Sequence, residues 1–318
     1  MERGEDLELS SRSRADAFAH PAFFYRSDRE YLAAAVDFVT EGVAAGQPVA
    51  VAVPATRLEP IRAELGSRAD GVRWIDMTRA GRNPGRIIPS VLRAFADAHP
   101  HRRVRIIGEP VWHGRTATEY PACVQHEALI NTAFGGREAT ILCPYDARAL
   151  SRDVLADARA THPVVISDGR WSVSPAYDPE RALARCNEVL RCPPGAAAVR
   201  FDAGALPVAR DFALRVARDL GMARARLQDL NLVVAELTTN SVVHGGGSGT
   251  LRIWAESGQI VCEVRDEGRL ADPLAGRHPV RPDQLGGRGL FLVNFVSDLV
   301  RVHTGTVGTT VRSYVALH

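Results

Sequence analysis

One stretch of the chain constrains its fold most: Glu236-Leu-Thr-Thr-Asn240-Ser-Val-Val-His244-Gly245. Glu236, Asn240 and His244 recur at every fourth position, so a helix would stack them on successive turns of one face. Leu232, Val233, Leu237, Val242 and Val243 supply its apolar side. The helix runs into Gly245-Gly-Gly247, so a carboxylate, a carboxamide and an imidazole stand just ahead of a chain break. An amide oxygen beside a carboxylate can hold a hard cation such as Mg²⁺ and orient a neighbouring water or hydroxyl. An amphipathic helix with a plain polar stripe has the same spacing, and the downstream sequence separates the two readings.

Three glycine-bearing segments follow in order. The alternating run from Gln259 to Arg265 ends in Asp266-Glu267-Gly268. A carboxylate at a strand end can accept a hydrogen bond from an exocyclic amine such as that of adenine, and Gly268 lets a ring pass close to the backbone. Next, Gly286-Gly287-Arg288-Gly289 opens an apolar helix from Leu290 to Val296. Free amides at a helix N-terminus, with the positive end of the dipole, suit phosphates. Last, Gly308-Thr309-Thr310 precedes a closing strand from Val311 to Leu317. Each cluster alone is as readily a turn; the ordered set over residues 236–310 carries the inference.

That set resembles the N, G1, G2 and G3 boxes of the GHKL ATPase superfamily. In its compact form, from Phe201 to His318, it is most similar to the anti-sigma factor serine/threonine kinases. The resemblance implies a Bergerat α/β sandwich, a mixed sheet covered by helices, using ATP and Mg²⁺. It implies that Asn240 is the Mg²⁺ ligand, Glu236 the general base and His244 part of the ATP-site wall. Asp266 would read adenine with Gly268 beside it, and Gly287, Arg288 and Gly289 would form the phosphate loop. Thr309 or Thr310 would stand near adenine and phosphate. One departure is that Arg269-Leu270 follows Gly268, where the family often has another glycine.

Composition narrows the chemistry. The chain has no lysine, and all 39 basic side chains are arginine. A Walker-type phosphate lysine and a Schiff-base lysine are therefore excluded, and a cation on a phosphate must be arginine, with Arg288 and Arg281 the nearest candidates. A net charge of +2 makes no case for nucleic acid. No apolar run approaches a membrane span, and Met1-Glu-Arg-Gly-Glu-Asp6 is no secretory signal, so a cytoplasmic protein is expected. The five cysteines are odd in number and form no Cys-x-x-Cys, which reads as buried reduced thiols.

The first half follows another pattern. Residues 1–17 read as a loose tail. Helical patterns over Glu30–Ala45, Arg57–Leu65, Gly85–Ala98 and Thr118–Phe134 alternate with strands over Pro48–Val53, Val72–Met77, Arg103–Ile107 and Thr140–Cys143. Such alternation implies a parallel α/β sheet with helices on both faces, binding ligands beyond the carboxyl ends of its strands. No glycine-rich phosphate loop follows Val53, where the chain continues Pro54-Ala-Thr-Arg57. With His20-Pro-Ala-Phe-Phe-Tyr25, the Gly108-Glu109 strand end and a Cys143-Pro-Tyr-Asp146 turn, residues 18–178 resemble the MEDS sensory domain of methanogens and methylotrophs. That resemblance implies a RecA-like sheet that has lost its phosphate loop and senses small molecules. His20, Tyr25, Glu109, Trp112 and His113 are the expected pocket residues.

His126-Glu127-Ala-Leu-Ile-Asn131 is similar to the phosphoacceptor box of sensor histidine kinases, but a strand follows it, so it is assigned to the α/β pattern. Apart from Asn240 for Mg²⁺, no histidine spacing suggests a metal site. Residues 179–196, ending near Cys192-Pro-Pro-Gly195, read as a semi-rigid linker to a kinase domain over 197–318. The expected protein is an anti-sigma-type serine/threonine kinase. It would phosphorylate an anti-sigma antagonist, sequester a sigma factor, and answer to a small-molecule or protein sensor at its N-terminus. Neither membrane nor direct nucleic-acid partners are expected, and a homodimer is compatible with this reading. A non-catalytic ATP-binding partner switch and an atypical histidine kinase are the alternatives.

Overall fold

The computed structural model describes residues 17–279 and 287–318. Its contacts divide the chain into two units, one comprising the chain up to Arg82 with Ile87–Cys186, the other Asn83–Arg86 with Asn187–His318.

The first unit is built on an eight-stranded sheet. Its strands are β1 (Phe18–Ala19), β2 (Pro21–Tyr25), β3 (Val49–Val53), β4 (Arg73–Asp76), β5 (Val104–Gly108), β6 (Ala139–Asp146), β7 (Val164–Ser167) and β8 (Arg170–Val173). The order is β4-β3-β5-β6-β2-β7-β8, with β1 also paired to β6. Every pairing is parallel except that of β7 with the edge strand β8. Helices intervene between most parallel neighbours, as parallel pairing requires. Every residue of β2 and of β3 is buried, so both faces of the sheet are covered. On one face Phe23, Tyr25, Val51, Val53 and Ile107 pack against Tyr31, Val36 and Val39 of the Asp28–Ala44 helix and Ile61 of the Ala55–Leu65 helix. On the other, Tyr145 donates a hydrogen bond to Glu127 of the Tyr120–Ala133 helix at 3.0 Å.

Several elements depart from the sequence expectation. The segment from His20 to Tyr25, read as a motif, contains the fully buried strand β2 in the middle of the sheet. β6 continues through Asp146, so Cys143 to Asp146 is strand and not turn. The helix expected over 85–98 is a 3₁₀ turn at Pro84–Arg86, a π turn at Ile88–Leu92 and a short α-helix at Arg93–Asp97. Pro84 and Pro89 deprive that stretch of amide donors, which breaks up the regular i→i−4 ladder.

The second unit is a helix layer on a sheet. Its strands are β9 (Ala197–Asp202), β10 (Ser248–Glu256), β11 (Gln259–Asp266), β12 (Leu299–Gly305) and β13 (Gly308–Ala316), ordered β12-β13-β11-β10-β9. The resemblance implies a mixed sheet; every described pairing here is antiparallel, and short hairpins join β10 to β11 and β12 to β13. Alternation along the strands sends Leu251, Ile253, Ile260, Cys262, Val264, Val311 and Val315 toward the helices Leu206–Asp219, Arg224–His244 and Gly289–Val296. The opposite face carries Glu263, Arg301 and Arg312, all buried. There the Arg312 guanidinium donates to Glu263 Oε2 through Nε at 3.0 Å and Nη2 at 2.5 Å.

Candidate functional site

The helix Arg224–His244 brings the predicted polar stripe to one end of the second unit's sheet. Ser241, one residue past Asn240 and buried, donates from Oγ to Asp266 Oδ2 at 2.6 Å. The Gly268 amide donates to Asp266 Oδ1 at 2.9 Å. Asp266, the last residue of β11, is thus clamped by a hydroxyl on one oxygen and a backbone N–H on the other. Two donors on one carboxylate fix its plane and leave its remaining lone pairs for a ligand amine.

Gly268 is itself held, since Thr309 Oγ1 donates to its carbonyl at 2.8 Å and Thr304 Oγ1 lies 2.9 Å from Thr309 Oγ1. A Cβ at 268 would fall 2.6 Å from the His244 carbonyl oxygen and 2.7 Å from Gly245 Cα, so only glycine lets these segments close over each other. Thr309 pairs with Asp266 across β13 and β11 and shares its face, whereas Thr310 alternates to the opposite face. Of the two threonines left open by the sequence, Thr309 is therefore the one placed with Asp266.

One turn earlier, Glu236 and Asn240 reach the start of the Gly289–Val296 helix. A Cβ on Gly289 would sit 2.6 Å from Glu236 Oε2, 3.1 Å from Asn240 Nδ2 and 3.3 Å from Asn240 Oδ1. The helix N-terminus, with its unpaired amides, therefore abuts a carboxylate and a carboxamide, and any side chain at 289 would push their tips aside. Neither side chain has a hydrogen-bond or ion-pair partner among the described residues, so both tips are available to a ligand. Gly287 is exposed and Arg288 half-buried next to this helix, while Gly286 and Arg281 lie outside the described residues. His244 is exposed, and its carbonyl, not its imidazole, approaches Gly268.

Clamped carboxylate, close-packed glycines and free Glu–Asn pair lie together beside one helix, an arrangement that suits a purine base at one end and an anion with a hard cation at the other. Residues 199–314 match the family described as Histidine kinase-like ATPase domain, and residues 19–163 match the MEthanogen/methylotroph, DcmR Sensory domain, MEDS. The chain joins a MEDS domain to a histidine kinase-like ATPase domain. Among curated proteins it is similar to Serine-protein kinase RsbW of Halalkalibacterium halodurans, 30% identical over 99 residues. That match covers 27% of this chain and 61% of the relative, so the chain spans about three-fifths of the relative's length.

The five residues expected to form a pocket in the MEDS domain do not converge. Tyr25 and Glu109 share one face of the sheet. There Tyr31 Oη donates to Glu109 Oε2 at 3.0 Å, the Tyr25 and Tyr31 rings meet edge-on at 4.9 Å, and Arg57 lies 4.7 Å from the Tyr31 ring. Burial pushes the Glu109 carboxyl up to about 8, against the opposing pull of the Tyr31 hydroxyl and the Arg57 guanidinium. Burial also raises both tyrosines, with the Glu109 charge next in effect. His20 departs from this group because even-numbered positions before β2 face the opposite side, where it meets Glu127 and Cys143. Trp112 is half-buried under Arg115, whose guanidinium stands 3.8 Å from its ring, and His113 is exposed. Tyr31 and Arg57 were missed in the sequence because helical positions chosen for packing give no sign of what they reach across a sheet.

His126 is buried in the Tyr120–Ala133 helix, which suits its assignment to the α/β pattern. Four of the five cysteines, Cys123, Cys143, Cys186 and Cys262, are buried free thiols, and Cys192 is partly exposed. Among the described residues no helix is long and apolar enough to cross a membrane.

Proposed function

We propose that this chain is a cytoplasmic, Mg²⁺-ATP-dependent serine/threonine kinase of the anti-sigma factor type. Its substrate is an antagonist of an anti-sigma factor, and its ATPase domain also sequesters a sigma factor. The observation that carries the reading is Asp266, clamped by the Gly268 amide and by Ser241 of the helix that presents Glu236 and Asn240 to Gly289. The similarity to a serine-protein kinase supports phosphoryl transfer to a protein hydroxyl.

Bound Mg²⁺-ATP would supply the transferable phosphoryl group, with ADP as the leaving group. Asp266 would accept a hydrogen bond from the adenine amine, its oxygens held by Ser241 and Gly268. Asn240 would offer its carboxamide oxygen to Mg²⁺. Gly287, Arg288 and Gly289 would hold the phosphates. Glu236 would accept the proton of the attacking hydroxyl. Positioning and charge stabilisation supply most of the rate in this chemistry, which suits a site whose two carboxylates have separate roles and which has no lysine. The MEDS domain senses a small molecule or a protein partner at the strand ends near Glu109 and Trp112, and regulates by binding two states unequally.

The test is transfer of labelled γ-phosphate from ATP to proteins captured by the full-length chain. Wild type should label a serine or threonine of one captured protein, and Glu236→Gln should bind ATP equally well yet label nothing. Equal labelling by both removes Glu236 from the chemistry. No labelling by wild type, with ATP bound, makes the domain a regulatory ATP-binding module.

A further inference from the structure

Four side chains of the MEDS domain converge in its interior on the face of the sheet away from Glu109. His20 lies between β1 and β2, Glu127 on the Tyr120–Ala133 helix, Cys143 in β6, and His162 directly after the Arg152–Thr161 helix. All four are buried, and one donor atom from each lies within 4.8 Å of the others. The separations are 3.3 Å for His20 Nε2 to Glu127 Oε2, 3.4 Å for Cys143 Sγ to His20 Nε2, 3.5 Å for His162 Nε2 to Glu127 Oε2 and 3.7 Å for Cys143 Sγ to Glu127 Oε2. A tetrahedral ion with bonds of about 2.0–2.3 Å places its donors about 3.3–3.7 Å apart. Four of the six donor–donor separations already have those lengths, and the other two lie within 4.8 Å.

Its hydrogen bonds show where the protons are. His162 Nδ1 lies 2.8 Å from the Ala158 carbonyl, which can only accept, so Nδ1 carries the hydrogen and Nε2 a bare lone pair. Asn131 Nδ2 donates to the carbonyls of Glu127, Ala128 and Thr161, which turns Oδ1 toward His20 Nδ1 at 3.1 Å. Oδ1 too can only accept, so the neutral form of His20 carries its hydrogen on Nδ1 and leaves Nε2 bare. Tyr145 Oη donates to Glu127 Oε1, leaving Oε2 to face both imidazole lone pairs. With both imidazoles neutral, one thiol hydrogen, on Cys143, is all that is available to three acceptors. His162 Nε2 is fully buried and makes no hydrogen bond. Lone pairs aimed at one another in a dry interior are costly unless a positive centre sits among them. Each imidazole also has the outer-shell acceptor that fixes a metal-binding tautomer.

We propose that His20, Glu127, Cys143 and His162 bind one divalent transition-metal ion of the zinc class, with Asn131 and the Ala158 carbonyl as positioning groups. Two neutral imidazoles, a carboxylate and a thiolate cancel the charge of such an ion. The thiol proton leaves to solvent as the ion enters. A thiolate with two imidazoles selects against Mg²⁺ and Ca²⁺. Four ligands leave no open position, so the ion ties two strands and two helical segments together and makes the fold of this domain respond to metal supply.

The test uses full-length protein produced in cobalt-supplemented medium and dialysed against metal-free buffer. One Co²⁺ per chain is expected, with the visible bands of tetrahedral cobalt and a near-ultraviolet thiolate-to-cobalt charge-transfer band. Cys143→Ser should lose the charge-transfer band, His162→Gln should lose the ion, and Asn131→Ala should weaken binding roughly tenfold or more. Cys262→Ser, in the ATPase domain, should change nothing. Circular dichroism establishes that each variant is folded; should Cys143→Ser fail to fold, loss of both ion and band in folded His162→Gln decides. Wild-type protein that retains no cobalt, cobalt without a charge-transfer band, or a band that survives Cys143→Ser would each overturn the proposal.

Discussion

Replacing Glu109 by Gln should remove the loss of stability that the MEDS domain suffers as pH rises. The Glu109 carboxyl is buried beside Tyr25, Tyr31, Arg57 and Asp146, and burial raises it from an ordinary 4.5 to about 8. A carboxyl raised in the folded state holds a proton that the unfolded chain has already lost. Its contribution is complete below pH 4.5 and declines as pH rises toward about 8, above which nothing further is lost. That window spans about 3.5 pH units, and each is worth about 1.4 kcal/mol, so the wild type forfeits up to about 5 kcal/mol across it. The carboxamide of the variant is neutral throughout, and its carbonyl can still accept from Tyr31 Oη. The variant should match wild type within about 1 kcal/mol near pH 5 and exceed it by about 2–5 kcal/mol at pH 8.5. Urea unfolding followed by tryptophan fluorescence reads this in a Trp254→Phe background, since Trp74, Trp112 and Trp171 all lie in the first unit. A stability difference that stays flat from pH 5 to 8.5 would refute the reasoning. So would a wild type that gains on the variant as pH rises, because Arg57 would then be holding Glu109 as an ion.

Ser241→Ala removes the 2.6 Å donor to Asp266 and should weaken ATP and adenosine binding alike, by roughly tenfold, in calorimetric titrations. Equal affinities would mean that Asp266 needs no such clamp. Glu263→Ala strands the buried Arg312 guanidinium and should destabilise the ATPase domain by about 3–5 kcal/mol. Thermal unfolding followed through Trp254, 5.0 Å from that guanidinium, is the measure, and an unchanged midpoint would show that the pair is dispensable.

What the sequence made legible was local. The Glu236–Asn240–His244 stripe and the Val49–Val53 strand each lie within one element, where a period of 3.6 or a buried apolar run fixes which way side chains point. Pairing partners lie beyond such signals. Thr309 and Thr310 are indistinguishable until β13 is set against β11, after which one joins Asp266 and the other turns away. Tyr25 and His20 stand five positions apart, but opposite faces of the sheet send them to different clusters. The His20–Glu127–Cys143–His162 set escaped a search by spacing because its members are scattered along the chain and meet only through the crossover of β2 into the middle of a parallel sheet. The breakdown of the 85–98 helix was signalled by Pro84 and Pro89, but an apolar periodicity running through them outweighed it.

On the proposed function, Glu236, Asn240 and Asp266 form one Mg²⁺-ATP site. Calorimetric titration of the full-length chain with ATP, with and without Mg²⁺, for wild type and Asn240→Ala, tests it most directly. Binding by wild type should depend on Mg²⁺, and Asn240→Ala should lose most of it. Equal affinity with and without Mg²⁺, or an Asn240→Ala protein that binds Mg²⁺-ATP as wild type does, would contradict it.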